Sequence, residues 1–94
     1  MMVEKKVVIK NKTGLHARPA GRLVKKAKAY LSDIKLIYGD KEINAKSVMN
    51  VMTLGAAKGK ELIIKASGDD EKKAVNELVN FIEIELPAME ENGE

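Results

Sequence analysis

The chain has 94 residues, enough for one domain; a fold of this size buries about 65% of the surface that its unfolded form exposes. Apolar residues make up 45% of it, yet there is one Phe, two Tyr and no Trp, so the core is expected to be aliphatic, and the lack of Cys excludes disulfides and thiolate chemistry. Charge is split along the chain: residues 1–65 hold 15 Lys/Arg against 5 Asp/Glu, a net +10, whereas residues 66–94 hold 2 against 9, a net −7. A basic body of this kind suits acidic partners, whether phosphate, nucleic acid or an acidic protein face. No apolar run exceeds three residues and the start lacks the apolar stretch of a signal peptide, so no membrane insertion is expected and the chain reads as cytoplasmic.

In chain order, the β-branched cluster Val7-Val8-Ile9 predicts a strand over residues 3–10, and Asn11-Lys12-Thr13-Gly14 is turn chemistry. Ala20, Leu23, Val24 and Ala27 fall at i, i+3, i+4 and i+7, with Arg22, Lys25, Lys26 and Lys28 opposite, which predicts an amphipathic helix with a cationic outer face. Residues 34–38 and 41–45 alternate as two strands, joined by the two-residue turn Gly39-Asp40. Ser47 opens a short helix over residues 48–54, and Gly55 closes it. A fourth strand covers residues 61–67 around Leu62-Ile63-Ile64. Asp69, Asp70 and Glu71 meet the positive end of a last helix, whose buried stripe is Ala74, Val75, Leu78, Phe81 and Ile82. Pro87 is expected to end that helix, leaving residues 87–94 as an acidic, flexible tail behind a domain of residues 1–86. The order β-α-β-β-α-β-α predicts an α+β fold: an open-faced two-layer sandwich, with three helices on one face of a four-stranded antiparallel sheet.

Chemistry concentrates at Gly14-Leu15-His16-Ala17-Arg18-Pro19-Ala20, where the first strand hands over to the first helix and where the single histidine lies. Pro19 suits a first helical turn, where its missing N–H is no loss, and it biases Arg18 away from the α region, so the helix is expected to start at about Arg18 or Pro19. His16 and the backbone N–H groups of Ala17 and Arg18 then gather at the positive end of a helix, which favours an anion. A phosphoryl group on the imidazole would meet those donors and the guanidinium of Arg18, which can fork onto phosphate oxygens. A nucleophilic imidazole beside such a cradle is what reversible phosphoryl transfer needs, although a lone surface histidine at a helix start is more often only a polar residue.

The segment GLHARPA, followed by a helix of the form A-x-x-L-V-x-x-A, resembles the active-site segment of the HPr family, the histidine-containing phosphocarriers of the bacterial sugar phosphotransferase system. A second segment, AKSVMNVMTLG at residues 45–55, resembles the family's second-helix motif at about the expected distance, and the likeness spans roughly residues 3–86. The resemblance implies a relay rather than an enzyme. Enzyme I, charged by phosphoenolpyruvate, would phosphorylate His16 on Nδ1, and the group would pass to the A domain of a sugar-specific enzyme II. It implies that Arg18 attends the phosphoryl group. It also gives Val48, Met49 and Met52, alongside Ala20, Arg22 and Lys25 of the first helix, a part in docking both partners. The sequence holds no P-loop and no G-x-G-x-x-G, so a donor protein rather than a bound nucleotide is required. No cofactor is expected, one His without Cys makes no typical transition-metal site, and a monomer is expected.

Ser47 has two readings. As a helix N-cap it is worth about 1 kcal/mol, reason enough for a serine there. In the Gram-positive members of the family that it resembles, the matching serine is also phosphorylated by an ATP-dependent HPr kinase/phosphorylase, and the product partners a catabolite-control repressor. Such a mark would set about two negative charges beside the docking patch without unfolding the helix. Asn50 stands where many of those relatives have Gly, Thr53 where they often have Ser, and Arg22 where the residue is more often uncharged. These departures weaken the case for Ser47 regulation and leave His16 transfer untouched. The alternative within the family is a regulatory paralogue, of a nitrogen-branch or catabolite-repression type, that binds target proteins more than it serves sugar transport. Nucleic-acid binding is disfavoured, because only three aromatics and no recognition signature accompany the lysines. Cationic charge on the first helix suits steering toward acidic protein faces equally well.

Overall fold

The computed structural model of the protein describes residues 2–92. Strands β1 (Met2–Val8), β2 (Asp33–Tyr38), β3 (Lys41–Asn44) and β4 (Glu61–Ser67) form one antiparallel sheet in the order β1-β4-β2-β3. Alternation along the strands turns Val7, Ile34, Leu36, Leu62, Ile64 and Ala66 to one face, where all are buried. The register places Val7 opposite Leu62 and Leu36 opposite Ile64. Helices α1 (Ala17–Ala27), α2 (Val48–Thr53) and α3 (Glu71–Asn80) cover that face, with Leu23, Val24, Val51, Val75 and Leu78 pointing inward. Each such side chain contributes about 1.5–3 kcal/mol on leaving water. Of the aromatics only Tyr30 and Phe81 are buried, so the core is aliphatic, as the composition requires.

The turns follow from local chemistry. Gly39 takes φ +62° as the first of two residues between Tyr38 and Lys41, the pattern of a type II′ hairpin. Ser47 caps α2, its hydroxyl oxygen accepting from the Asn50 N–H at 3.3 Å, and Gly55 follows the helix at φ +60°.

Two boundaries differ from expectation, and both concern the site. Helix α1 begins at Ala17, with His16 as its extended N-cap, so Arg18 is helical although it precedes Pro19. In the first turn the ring of Pro19 meets no carbonyl of a preceding helical turn, and the bias that it exerts on Arg18 is a preference that the helix start overrides. The larger difference lies at Pro87. The last helix does not stop: α3 passes into a π-helical turn, Phe81–Glu85, and then into α4, Leu86–Glu91. Pro87 follows directly on the π-helical turn, and the helix runs through it although its nitrogen donates no bond, so residues 87–91 are helix rather than loose tail. The folded unit therefore extends beyond residue 86, and Gly93 and Glu94 lie outside the described residues.

Asp70 heads α3 without capping it. Its carboxylate instead accepts from Leu31 N–H (2.8 Å), Ser32 N–H (2.9 Å) and Ser32 Oγ–H (2.6 Å), tying the start of α3 to the loop before β2. The Ser32 hydroxyl foremost, with the two backbone donors, holds the Asp70 carboxyl below its ordinary pKa. A depressed carboxyl contributes stability that is present above its unfolded pKa and lost as pH falls through the folded one. Asp70→Asn is thus expected to lower Tm at neutral pH, with the gap to wild type closing on acidification below the ordinary aspartate range. A gap constant from pH 7 down to pH 3, about one unit under that range, would refute the tie.

Candidate functional site

His16 stands at the N-cap of α1 with φ −78° and ψ −174°, and its carbonyl accepts from Ala20 N–H at 2.7 Å. Its imidazole makes no capping bond and is exposed, so neither ring nitrogen is used to hold the fold. The first-turn backbone N–H groups of Ala17 and Arg18 have no acceptor among the described residues, and Pro19 has none to offer. Within α1 the open donors are therefore the Ala17 and Arg18 N–H groups, which follow His16 directly in the chain. Arg18 is exposed, with no hydrogen bond or ion pair among the described residues, and its guanidinium remains available to an anion. The arrangement can receive a tetrahedral oxyanion on the ring, with backbone donors and a fork-shaped cation around it.

His16 lies on a ridge between two depressions. The larger, of about 850 Å³, is lined by Lys12, Thr13, His16, Arg18, Arg22 and residues of α4. The smaller, of about 200 Å³, joins His16 to Met52 of α2 and to Gly55, Ala56 and Ala57. Helices α1 and α2 pack side by side, so Val48, Met49 and Met52, at 37%, 77% and 42% exposure, form an apolar patch on the same side of the molecule as α1. Lys25 is exposed one turn further along α1, and Arg22 is half-buried in the larger depression. Ala20 does not belong with them. It is completely buried in the stripe with Leu23, Val24 and Ala27, and the demands of packing exclude its side chain from any docking surface.

The residues that sequence reasoning missed are those of α4: Leu86, Met89 and Glu90 line the wall of the larger depression. Their signal was present, since Leu78, Ile82, Leu86 and Met89 continue one apolar stripe at spacings of four and three straight through Pro87.

Comparison with known proteins agrees with the fold. A family profile described as the PTS HPr component phosphorylation site matches residues 3–83. The chain belongs to the HPr family. It is 48% identical over 77 residues to the phosphocarrier protein HPr of Buchnera aphidicola from Schizaphis graminum, an alignment covering 82% of this chain and 91% of that one. It is 40% identical over 85 residues to the HPr-like protein Crh of Bacillus subtilis, covering 90% of this chain and all of the relative. Among solved structures, HPr of Thermoanaerobacter tengcongensis superposes with a TM-score of 0.83 at 46% identity, covering 86% of this chain and 91% of that one. HPr of that organism is also described as a dimer. HPr proteins are phosphocarriers, and helix α4 extends beyond the segment that the family profile matches. No helix among the described residues is long and apolar enough to cross a membrane.

Proposed function

We propose that this HPr-family chain accepts a phosphoryl group from phospho-enzyme I on His16 and delivers it to the A domain of a sugar-specific enzyme II. The observation that carries the reading is a free imidazole at the N-cap of α1, beside two open backbone donors and an unpaired Arg18 guanidinium. In the transfer, the lone pair of a ring nitrogen forms an N–P bond as the bond from phosphorus to its donor breaks, and the donor keeps that electron pair. The N–H groups of Ala17 and Arg18 and the Arg18 guanidinium hold the phosphoryl oxygens, whose charge the helix end favours. Delivery is the same displacement with His16 as the leaving group. Arg22 and Lys25 steer acidic partner faces toward α1, and Val48, Met49 and Met52 give them an apolar seat. The monomer, within which His16, Arg18 and Arg22 already line one depression, is the proposed working form.

Phosphoenolpyruvate and enzyme I are expected to place one acid-labile, base-stable phosphate on the chain, and Arg18→Ala to slow that labelling at least about tenfold with the fold intact. A chain that takes no label under these conditions would sink the assignment.

A second reading concerns Ser47, favoured by its long 3.3 Å cap bond and by its place beside the exposed Val48 and Met49. Phosphorylation there by HPr kinase/phosphorylase would set charge on the apolar seat and redirect the chain to a catabolite-control repressor, the regulatory role in the name of one relative, the catabolite repression HPr of Bacillus subtilis. Kinase and ATP should then add an acid-stable phosphate that Ser47→Ala cannot accept. That variant loses only about 1 kcal/mol of stability as a missing cap. Equal labelling of the variant would move the site elsewhere.

A further inference from the structure

The loop that delivers His16 is gripped from two sides. On one, Leu15 N–H donates to Ala56 O at 3.0 Å. On the other stands Glu90 of α4, whose carboxylate accepts from Lys12 N–H (2.7 Å), Thr13 N–H (3.4 Å), Asn11 Nδ2 (2.9 Å) and the Thr13 hydroxyl. Four donors from three consecutive residues converge on one side chain contributed from the far end of the chain. Asn11 is buried, with 1% of its surface exposed and its Oδ1 without a partner, so its two Nδ2 bonds, to Gly14 O at 2.8 Å and to Glu90, carry all the polar fixation its side chain has. Lys12, Thr13 and Glu90 of the clamp line the same 850 Å³ depression as His16, Arg18 and Arg22.

We infer that Glu90 is a positioning residue for phosphoryl transfer at His16, through a carboxylate clamp on residues 11–13 that is supplied by the helix beyond Pro87. The role rests on the carrier reading above. Residues 11–15 have no regular secondary structure, and a segment of that kind is held in one conformation only as far as its bonds offset the entropy of ordering it. Charge-assisted bonds from two backbone amides fix its path three residues before the imidazole, where a displacement of the ring alters alignment with a donor phosphorus. Burial alone would raise the Glu90 pKa, but the donors from Asn11, Thr13 and Lys12 outweigh it and hold the carboxyl below its ordinary value, so the clamp carries its charge at neutral pH. Met89 and Leu86, on the same short helix, seat α4 against the core and keep Glu90 in reach.

The test is single-turnover transfer from phospho-enzyme I to the full chain and to Glu90→Ala and Glu90→Gln. Glu90→Ala is expected to lower the transfer rate at saturating donor about tenfold while the half-saturating donor concentration stays at the wild-type value, because alignment and not docking is lost. Glu90→Gln keeps one acceptor oxygen and is expected to recover part of the rate. Hydrogen exchange at the Lys12 and Thr13 amides should accelerate in Glu90→Ala while the amides of β4 stay protected, which separates a loosened loop from an unfolded chain. Should Glu90→Ala fail to fold, Glu90→Gln alone decides, and a rate equal to wild type overturns the inference. A labelled wild type with an equally fast Glu90→Ala overturns it too and leaves the carrier reading standing; a wild type that takes no label overturns both.

Discussion

Replacing His16 by alanine leaves the chain folded and removes every phosphoryl group that it accepts from phospho-enzyme I. Both halves of this expectation come from the same observation. The imidazole is exposed and caps nothing, so its loss changes no bond that holds α1, and a surface substitution of that kind costs no more than about 0.5 kcal/mol. It is also the sole imidazole in the chain, which has no Cys to take its place as a nucleophile. Label on His16→Ala that resists acid would point to Ser47 or another hydroxyl, and label as acid-labile as that of wild type would remove His16 from the mechanism. Denaturation midpoints measured beside the labelling keep the two halves apart.

Gly14→Ala is expected to be the most destabilising single-methyl change near the site. Gly14 lies at φ +65°, and a Cβ there would stand 2.4 Å from Ala56 O and 2.9 Å from Ala57 Cα, both main-chain atoms that cannot rotate away. The left-handed conformation costs an alanine about 1–2 kcal/mol, and forcing two backbones apart adds roughly 1–3 kcal/mol. Against a total stability of about 5–14 kcal/mol for a chain of this length, that is a large share. Gly39→Ala provides the contrast: φ is +62°, but the space is open, so only the conformational part applies. Urea unfolding should therefore rank Gly14→Ala well below Gly39→Ala. Equal midpoints would mean that the loop and residues 56–57 yield freely. Because Leu15 N–H bonds to the same Ala56 carbonyl, Gly14→Ala should also slow transfer at His16 in the molecules that remain folded.

Much of this was legible in the sequence, wherever one short segment decides the matter. Gly39-Asp40 between alternating runs specifies a hairpin, Ser47 and Gly55 bracket α2, and Pro19 places a helix start beside His16. The misreadings arose where two demands compete. Ala20 answers both to a helical stripe and to a motif that docks partners, and packing won. Pro87 is a helix breaker by local rules, yet Leu86 is buried, and the stripe that it extends overrode the breaker. The approach of Gly14 to Ala56 and the grip of Glu90 on residues 11–13 join parts of the chain that no local pattern connects, and only the folded sheet and helices bring them together.

The π-helical turn at Phe81–Glu85 determines which way α4 faces. It closes with Leu86 N–H on Phe81 O, five residues back, so it uses one residue more than an α turn does. In an α-helix one residue is about 100° of rotation, and α4 is out of phase with α3 by that amount. Removing one residue from this turn would restore an unbroken α-helix and swing Glu90 about a quarter-turn around the axis, away from residues 11–13. The length of the chain between Asn80 and Leu86 is thus a phase setting, and it links the end of the molecule to the histidine near its beginning.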